Sequence, residues 1–330
     1  MKVKAVILFS GGLDSILSAR IMAEQKKVES IIFHCYTVFS HNSREETEAS
    51  LSAYARELGL RFEIIDFSLK HIALVKNPLT GFGSNVNPCI DCKLAMFQAA
   101  KAYMEEIGAC FLVSGEVIGQ RPMSQRKDVF NRIEKIAGLK GRILRPLCAK
   151  LLEPTIAEEK GWVKRDLLYD IQSRSRKKQA ALAEKFEIKT YPNPGGGCLL
   201  TDPGYSRRIK DLLKYQPDFS AADVALLRLG RHFRIAPQAK LIVPRDVHEA
   251  DLLDKMISQE MIRFVPASFD GYASLGRGEF REEDLYTAAS IATQYYPDSM
   301  AKTVKVIDGD KQTLIRSEQC SPVLRGRYLI

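Results

Sequence analysis

The first 25 residues constrain the fold most strongly, because an apolar stretch, a glycine turn and a helical pattern follow one another without a gap. Val3–Phe9 is strand-like, residues 10–15 read S-G-G-L-D-S, and Ile16–Gln25 has a helical composition. A strand that enters a helix through a glycine turn directs backbone N–H groups and the helix N-terminus at one point, where phosphates bind well. This run predicts a phosphate-binding turn in an α/β fold, and an ordinary strand-to-helix turn is the alternative.

The residues of the turn have the functional groups that a nucleotide needs. Gly11 and Gly12 allow close approach of the backbone, and Ser10 and Ser15 supply hydroxyls. Asp14 or Ser15 can cap the helix that follows. The run matches neither G-x-x-x-x-G-K-[ST] nor G-x-G-x-x-G, so it is not the usual kinase, GTPase or dinucleotide loop.

Strand-like and helical segments alternate over the first two thirds of the chain, which is typical of a parallel sheet wrapped by helices. The predicted strands are Val3–Phe9, Ser30–Tyr36, Phe62–Asp66 and Cys110–Ser114, and the predicted helices are Ser15–Gln25, Arg44–Leu58 and Ile90–Ile107. Ligands bind beyond the carboxyl ends of such strands. We therefore predict a doubly wound, mostly parallel sheet, at whose edge Ser10–Ser15, His34–Thr37 and Ser114–Gln120 meet.

The composition changes after residues 216–218, and a smaller α+β pattern follows. The predicted strands there are Phe233–Ile235, Lys240–Val243, Arg263–Pro266 and, as the last strand, Thr303–Ile307; the predicted helices are Asp246–Ile257 and Glu282–Tyr295. About 110 residues is a normal length for a separate domain.

The net charge of +9, from 49 basic and 40 acidic residues, favours a polyanionic partner such as nucleic acid. A mildly basic protein without such a partner is the alternative. Basic residues cluster at Arg174, Arg176, Lys177 and Lys178, and again at Arg207, Arg208, Lys210 and Lys214. Neither a run of eighteen apolar residues nor a signal-peptide pattern is present, so we predict a cytoplasmic protein without a membrane span.

Three of the seven cysteines stand out. Cys89 and Cys92 form C-x-x-C at the start of a predicted helix, where the helix dipole favours thiolates, and Cys198 ends a proline- and glycine-rich stretch. A second C-x-x-C and a histidine at zinc-ligand spacing are both missing from the sequence. Spacing alone leaves three interpretations open: a [4Fe–4S] cluster on three thiolates with one open iron, thiol redox chemistry, and zinc or inert thiols.

Three sequence blocks within about the first 200 residues carry a family resemblance. They are S-G-G-L-D-S at 10–15, N-P-C-I-D-C-K at 87–93, and S-G-E-V-I-G-Q at 114–120, with Ser124, Gln125 and Arg145-Pro146-Leu147 downstream. Together they resemble the tRNA thiouridine synthetases of the pyrophosphate-loop ATP-pyrophosphatase superfamily, especially the 4-thiouridine type. The glycine-flanked Cys198 resembles the third cluster cysteine of iron–sulfur-dependent tRNA thiolases.

The chain departs from that family in its domain order. The 4-thiouridine synthetases carry an RNA-binding module before the loop, whereas here the loop's own strand comes first and the extra domain is C-terminal. Within that domain, Leu229–Arg234 resembles a small RNA-associated domain of translation quality-control proteins. We predict an ATP-binding catalytic domain at 1–186, a cysteine loop with a basic helix at 187–217, and a small α+β, RNA-docking domain at 218–330.

The resemblance implies an enzyme that uses ATP and Mg²⁺ to adenylate a uridine carbonyl of tRNA and then replaces that oxygen with sulfur, forming AMP and pyrophosphate. The implied nucleotide contacts are Ser10, Gly11, Gly12, Asp14, Ser15, His34, Tyr36 and Gly115. Asp14 would hold Mg²⁺ or orient the nucleotide. Lys93 and Arg145 would neutralise developing charge, and Glu116 would contact AMP or act as a base.

Two routes of sulfur delivery follow from the resemblance. In the first, Cys89, Cys92 and Cys198 ligate a [4Fe–4S] cluster, and sulfide on the open iron displaces AMP. In the second, as in 2-thiouridylases, Cys198 carries a persulfide and Cys92 resolves it as a disulfide. Both need a sulfur donor: sulfide, a desulfurase or a sulfur carrier.

Two other functions remain open at this level, namely a small-molecule ATP pyrophosphatase or amide-forming ligase, and a noncatalytic RNA-binding protein. The sequence does not determine the oligomeric state, and a homodimer is compatible with it.

Overall fold

The chain divides into two units, each with its own sheet. The computed structural model describes residues 2–121, 124–191, 198–258, 260–296, 303–316 and 322–330. Unit 1 is Met1–Thr201 and unit 2 is Asp202–Ile330. The boundary falls within the predicted 187–217 segment, so Cys198 belongs to unit 1 and the basic helix to unit 2. The functional division at 186 and 217 stays a prediction.

Unit 1 contains a five-stranded parallel sheet in the order β3-β2-β1-β4-β5. The strands are β1 (Val3–Leu8), β2 (Val28–Tyr36), β3 (Arg61–Asp66), β4 (Phe111–Ser114) and β5 (Ile143–Leu144). The doubly wound sheet predicted from the sequence is confirmed. Leu8 pairs with both Phe33 and Ser114, so β1, β2 and β4 reach the same edge.

Helices cover both faces of this sheet. They are α1 (Leu13–Ala23), α2 (Arg44–Glu57), α3 (Ser68–Lys76), α4 (Cys89–Glu106), α5 (Lys127–Ala137), α6 (Ile156–Glu159) and α7 (Lys177–Lys185). Ile7 packs among α1 and α7 on one face, and Val6 packs among α4 and α5 on the other. Burial on both faces explains why the strands are almost continuously apolar.

Unit 2 contains a six-stranded antiparallel sheet in the order β11-β10-β8-β9-β7-β6. Its strands are β6 (Arg231–Ala236), β7 (Ala239–Val243), β8 (Met261–Pro266), β9 (Ser274–Gly278), β10 (Thr303–Asp308) and β11 (Lys311–Arg316). Its helices are α8 (Pro203–Tyr215), α9 (Ala221–Leu226), α10 (Val247–Asp254), α11 (Glu282–Thr293) and α12 (Pro322–Tyr328). The α+β class predicted for this region is confirmed.

Two strands of unit 2 differ from the sequence prediction. The prediction that β10 is the last strand is wrong, because the chain turns at Gly309 and returns as β11. β11 is mostly polar, and β9 contains Gly276 and Gly278, so neither has an apolar alternation that marks a strand. Among the described helices, none is long and apolar enough to cross a membrane.

Candidate nucleotide and thiol site

The glycine turn follows β1, and its two serine hydroxyls form hydrogen bonds with the Gly12 backbone. Gly12 N–H donates to Ser10 Oγ at 3.3 Å, and Ser15 Oγ donates to the Gly12 carbonyl at 2.8 Å. Gly11 has a φ of +76°, a conformation that favours glycine, and a Cβ there would lie 2.6 Å from Leu51 Cδ2 and displace that side chain. The structure thus brings together the four small residues expected to contact phosphates.

Asp14 occupies the first turn of α1, beside this loop. Its Oδ2 accepts a hydrogen bond from Gln120 Nε2 at 2.8 Å, and Arg176 Nη2 lies 3.9 Å from the same oxygen. The other carboxylate oxygen, Oδ1, is buried and has no hydrogen-bond partner among the described residues. A buried carboxylate oxygen in this state is a suitable ligand for a hard cation such as Mg²⁺. Sequence reasoning missed this contact between Gln120 and Asp14.

The segment after β4 touches the turn through Gly115. A Cβ at Gly115 would lie 2.8 Å from the backbone of both Asp14 and Ser15, closer than real Cβ atoms approach. Only glycine therefore lets the end of β4 pack against the turn. The third sequence block and the first are in direct backbone contact.

His34 lies at the end of β2, next to the same edge. Its Nδ1 is 2.7 Å from the Phe9 carbonyl, which can only accept, so Nδ1 carries the proton. Nε2 is buried and has no partner in the described part of the chain. Burial lowers the pKa of His34, although the bond to Phe9 opposes this shift. Tyr36 is buried at 8% exposure, and its predicted contact with adenine stays a prediction.

The three cysteines predicted to act together belong to unit 1 and are near enough to influence one another's pKa. Cys89 begins α4, Cys92 lies one turn further, and Cys198 comes from the far end of unit 1. Burial raises the pKa of the Cys92 thiol, and the neighbouring Cys198 and Cys89 raise it further. Burial raises the pKa of Cys198 to about 11, and Cys89 adds to the shift. The thiols thus lie within one another's electrostatic range.

This arrangement is not a preassembled metal centre. Within the described residues, no three or more His, Cys, Asp or Glu side chains are spaced as ligands of one metal ion. The raised pKa values of Cys92 and Cys198 mean that a bound cation would have to displace the protons of these two thiols. Ligation of a cluster by Cys89, Cys92 and Cys198 stays a prediction.

Two contacts hold the turn that carries Cys198. Leu199 N–H donates to the Phe39 carbonyl at 3.0 Å, and Asn85 Nδ2 donates to the Thr201 carbonyl at 2.8 Å. Phe39 follows β2, and Asn85 precedes α4, so the turn is attached to two separate segments of unit 1. Sequence reasoning missed both residues. The available signal was Asn85 itself, in a Gly-Ser-Asn run, because asparagine tolerates the φ of +56° found there.

A buried chain of ion pairs links the cysteine helix to the end of β4. Glu116 lies 2.5 Å from Lys93 Nζ and 2.9 Å from Arg145 Nε, and Arg145 Nη1 lies 2.5 Å from Glu134. Burial would raise the pKa of Glu116, but the two cations outweigh it and lower that pKa. A carboxylate held in this way is a weak base, so the geometry favours positioning by Glu116 over proton transfer.

Lys93 connects this chain to the thiols. Its Nζ also donates to the Ser124 carbonyl at 2.9 Å, and Ser124 Oγ lies 3.6 Å from Cys89 Sγ. The predicted role of Lys93 in neutralising developing charge stays a prediction, and in this structure its charge is paired with Glu116.

The basic helix α8 has two different sides. Arg208 Nη1 donates to the Leu227 carbonyl at 2.6 Å, so this residue is part of the unit 2 scaffold. Arg207, Lys210 and Lys214 are exposed, and their spacing puts them along one side of the helix. Of the four basic residues predicted to cluster on α8, these three are available to a polyanion.

Comparisons with known proteins match the two units to different family models. Residues 1–160 match the family model described as "Thiamine biosynthesis protein (ThiI)". We call residues 1–160 the ThiI-like part, because they are similar to this family. Residues 230–324 match the model described as "NFACT protein RNA binding domain". The match begins inside Leu229–Arg234, the segment whose sequence resembles a small RNA-associated domain. The ThiI-like part contains the turn, the C-x-x-C pair and the Ser114–Gln120 block.

Curated relatives are distant, and each match covers less than half of the relative. A probable tRNA sulfurtransferase of Methanosarcina mazei is 24% identical over 191 residues, which is 56% of this chain and 44% of the relative. An uncharacterized protein of Methanocaldococcus jannaschii is 27% identical over 117 residues, 36% of this chain and 42% of that protein. The chain thus spans less than half the length of the curated relatives that it matches.

Among solved structures, a 4-thiouridine synthetase in complex with RNA and bound ATP is 23% identical, with a TM-score of 0.35, over 56% of this chain and 52% of that one. The U34-tRNA thiolase NcsA from Methanococcus maripaludis, with its [4Fe–4S] cluster, is 17% identical, with a TM-score of 0.35, over 66% of this chain and 74% of that one.

Proposed function

We propose that this protein is an ATP-dependent tRNA sulfurtransferase that adenylates a uridine carbonyl and replaces its oxygen with sulfur at the three-cysteine site. The observation that carries the proposal is a single short segment, residues 114–116, that contacts both the nucleotide turn and the cysteine helix. Gly115 lies against the Asp14 backbone, while Glu116 pairs with Lys93, the residue after Cys92. An activated base held at the turn would therefore be near the thiols.

The turn supports the nucleotide step. Backbone N–H groups at the start of α1 and the Ser10 and Ser15 hydroxyls suit a pyrophosphate, and the orphan oxygen of Asp14 suits Mg²⁺. In this step the uridine oxygen forms a bond to the α-phosphorus of ATP as the bond to pyrophosphate breaks. The protein contributes position and charge, because phosphoryl transfer depends mainly on these.

The thiols support the sulfur step, in which a sulfur nucleophile forms a bond to the uridine carbon and AMP leaves with the oxygen. Three thiols from two distant segments fit a [4Fe–4S] cluster that keeps one iron open. Such a cluster would supply a site for sulfide. Cys89, Cys92 and Cys198 would hold it, and ligation would remove their protons.

A persulfide relay is the second candidate, because no three of the described side chains are spaced as ligands of one metal ion, whereas Cys92 and Cys198 are in mutual electrostatic range. In the relay, a donor leaves a persulfide on Cys198, its terminal sulfur passes to uridine, and Cys92 attacks Cys198 to form a disulfide. A reductant must then restore both thiols. The donor in either route stays a prediction.

Unit 2 supports RNA as the partner, since residues 230–324 match an RNA-binding domain model and the whole chain has a net charge of +9. We propose that it docks tRNA for the ThiI-like domain. A tRNA partner also agrees with the predicted cytoplasmic location.

Isotope exchange between ATP and pyrophosphate, with and without tRNA, tests this function. We expect RNA-dependent exchange, and a thiolated nucleoside by mass spectrometry once sulfide is added. Cys110 lies at the opposite end of β4 and provides a control, so C110A should behave like wild type. Exchange that needs neither RNA nor the three cysteines would favour a small-molecule ATP pyrophosphatase. Complete failure to bind ATP would favour an RNA-binding protein.

A further inference from the structure

The two faces of the unit 2 sheet are covered to different extents. On one face, a core around α11 extends from Phe233 on β6 to Val304 on β10 and Ile315 on β11. On the opposite face, α9 and α10 pack around Ile242 and Leu275, on β7 and β9. In the part of the chain that the structure describes, the buried cluster of this second face does not extend to β10 or β11.

The strand register identifies the side chains of this uncovered area, which we call the open sheet face. They are Arg263, Val265, Thr303, Lys305, Ile307, Gln312, Leu314 and Arg316. Their neighbours Val304 and Val306 point into the core, as the alternation of a strand requires. Leu314 is 67% exposed. The set contains three cations and no carboxylate.

The three cations form a line across three strands. On β11, Leu314 pairs with Lys305, and Arg316 is two residues beyond Leu314. On β8, Val265 pairs with Lys305, and Arg263 is two residues before Val265. Both β8 and β11 are antiparallel to β10. Arg316 and Arg263 therefore lie diagonally on opposite sides of Lys305, with Cα atoms about 7–8 Å from the Cα atom of Lys305.

These cations differ from those on the covered half of the same face. There, Arg234 pairs with Asp211 and Arg277 pairs with Asp223. Among the described residues, none of the open-face cations is in an ion pair, and Arg263 Nε is buried without an acceptor. Unpaired cations with no carboxylate in their set are complementary to a polyanion.

Apolar and aromatic groups flank the line. Leu314 and Ile307 lie beside Lys305, and Val265 lines a shallow cavity with Phe269, Asp270 and Tyr272. Tyr272 is 50% exposed. Single-stranded RNA is bound on sheets in this way, with cations on the phosphates and apolar or aromatic groups on splayed bases. The Asp270 carboxylate makes that cavity suited to a base and not to a phosphate.

We propose that the open sheet face binds a single-stranded RNA segment, with Lys305, Arg316 and Arg263 on successive phosphates and Leu314 against a base. This inference rests on the proposed tRNA partner and adds the surface and the kind of RNA. The exposed side of α8 lies outside the residues that match the RNA-binding model, so it is a separate candidate surface.

The test is fluorescence anisotropy with the full-length protein and two labelled probes, a short oligouridine and a tRNA transcript. K305E and R316E are each compared with K311E, a reversal in the same hairpin at a residue outside the open face. We expect each open-face variant to weaken oligouridine binding about tenfold at ~0.1 M salt and to lower the salt slope by about one, because one phosphate contact is lost. K305R should restore binding.

The outcomes separate this inference from the proposed function. One outcome is that wild type binds tRNA while K305E and R316E bind both probes as wild type does. In that case the proposal that the open sheet face binds RNA is wrong, and the proposal of a tRNA partner is kept. An equal loss of RNA affinity in K311E would also refute RNA binding by the open sheet face, since it would indicate a general effect of charge. If wild type binds neither probe, the RNA partner itself is wrong.

Discussion

Replacing Asn85 by glycine should loosen the attachment of Cys198 without disturbing the loop backbone. The φ of +56° suits glycine, so N85G removes only the side chain that donates to the Thr201 carbonyl at 2.8 Å. A neutral hydrogen bond of this kind contributes about 1 kcal/mol. We therefore expect the effective concentration of Cys198 at Cys92 to fall about fivefold.

The assay uses the metal-free protein in a glutathione redox buffer and measures, by mass spectrometry of peptides, the equilibrium fraction with a disulfide between Cys92 and Cys198. N131A, which truncates an exposed asparagine on α5, is the matched control and should equal wild type. If N85G forms this disulfide as readily as wild type, Asn85 does not position Cys198. If wild type never forms it, the two thiols do not meet.

Three further predictions concern the nucleotide edge, the ion-pair chain and α8. G115A should abolish ATP binding in calorimetry, because its Cβ would lie 2.8 Å from the turn backbone; near-normal affinity would refute the close contact. E116Q should lose about 3–5 kcal/mol in urea unfolding, since two buried cations lose their carboxylate. Because the folded pKa of Glu116 is lowered, its contribution is present above about pH 4.3 and disappears as pH falls through the folded pKa, so wild type but not E116Q should show this acid loss. The double reversal R207E/K210E should weaken tRNA binding with unchanged stability, whereas R208A should lower the unfolding midpoint; the opposite pattern would contradict the assignment of the two sides of α8.

The glycine turn and the sheet edge beside it could be predicted from the sequence, because the residues that determine them are close together in the chain. The strand, the Gly11–Gly12 turn and the helix are adjacent in the chain, and the parallel order follows from the alternation of strands and helices. The sequence predicted only that the segments containing Gly115 and the glycine turn meet at the same edge of the sheet. Its need for glycine appears only when the Asp14 backbone is seen beside it.

The thiol site was predicted through family resemblance, not through spacing. Cys198 is more than a hundred residues from Cys92, and its position depends on hydrogen bonds made by Asn85 and by the Phe39 backbone. Such contacts leave little trace in a sequence. Glu116 and Lys93 were each predicted to have a functional role, but their pairing with each other is a long-range feature that the sequence did not predict.

In unit 2, the strands with apolar alternation were found, and those with glycine or polar residues were missed. β11 was missed because only Ile315 of its six residues is buried. That same exposure creates the open sheet face, so the feature that hid the strand from sequence reasoning is the one that supports its interpretation as a binding surface.

The iron content of anaerobically purified protein tests most directly whether the three thiols form one site. The account predicts about four irons per chain in wild type and in C110A, and loss of that iron in each of C89A, C92A and C198A. Full iron retention in all three of these variants would contradict the account, because the thiols would then not act together as ligands.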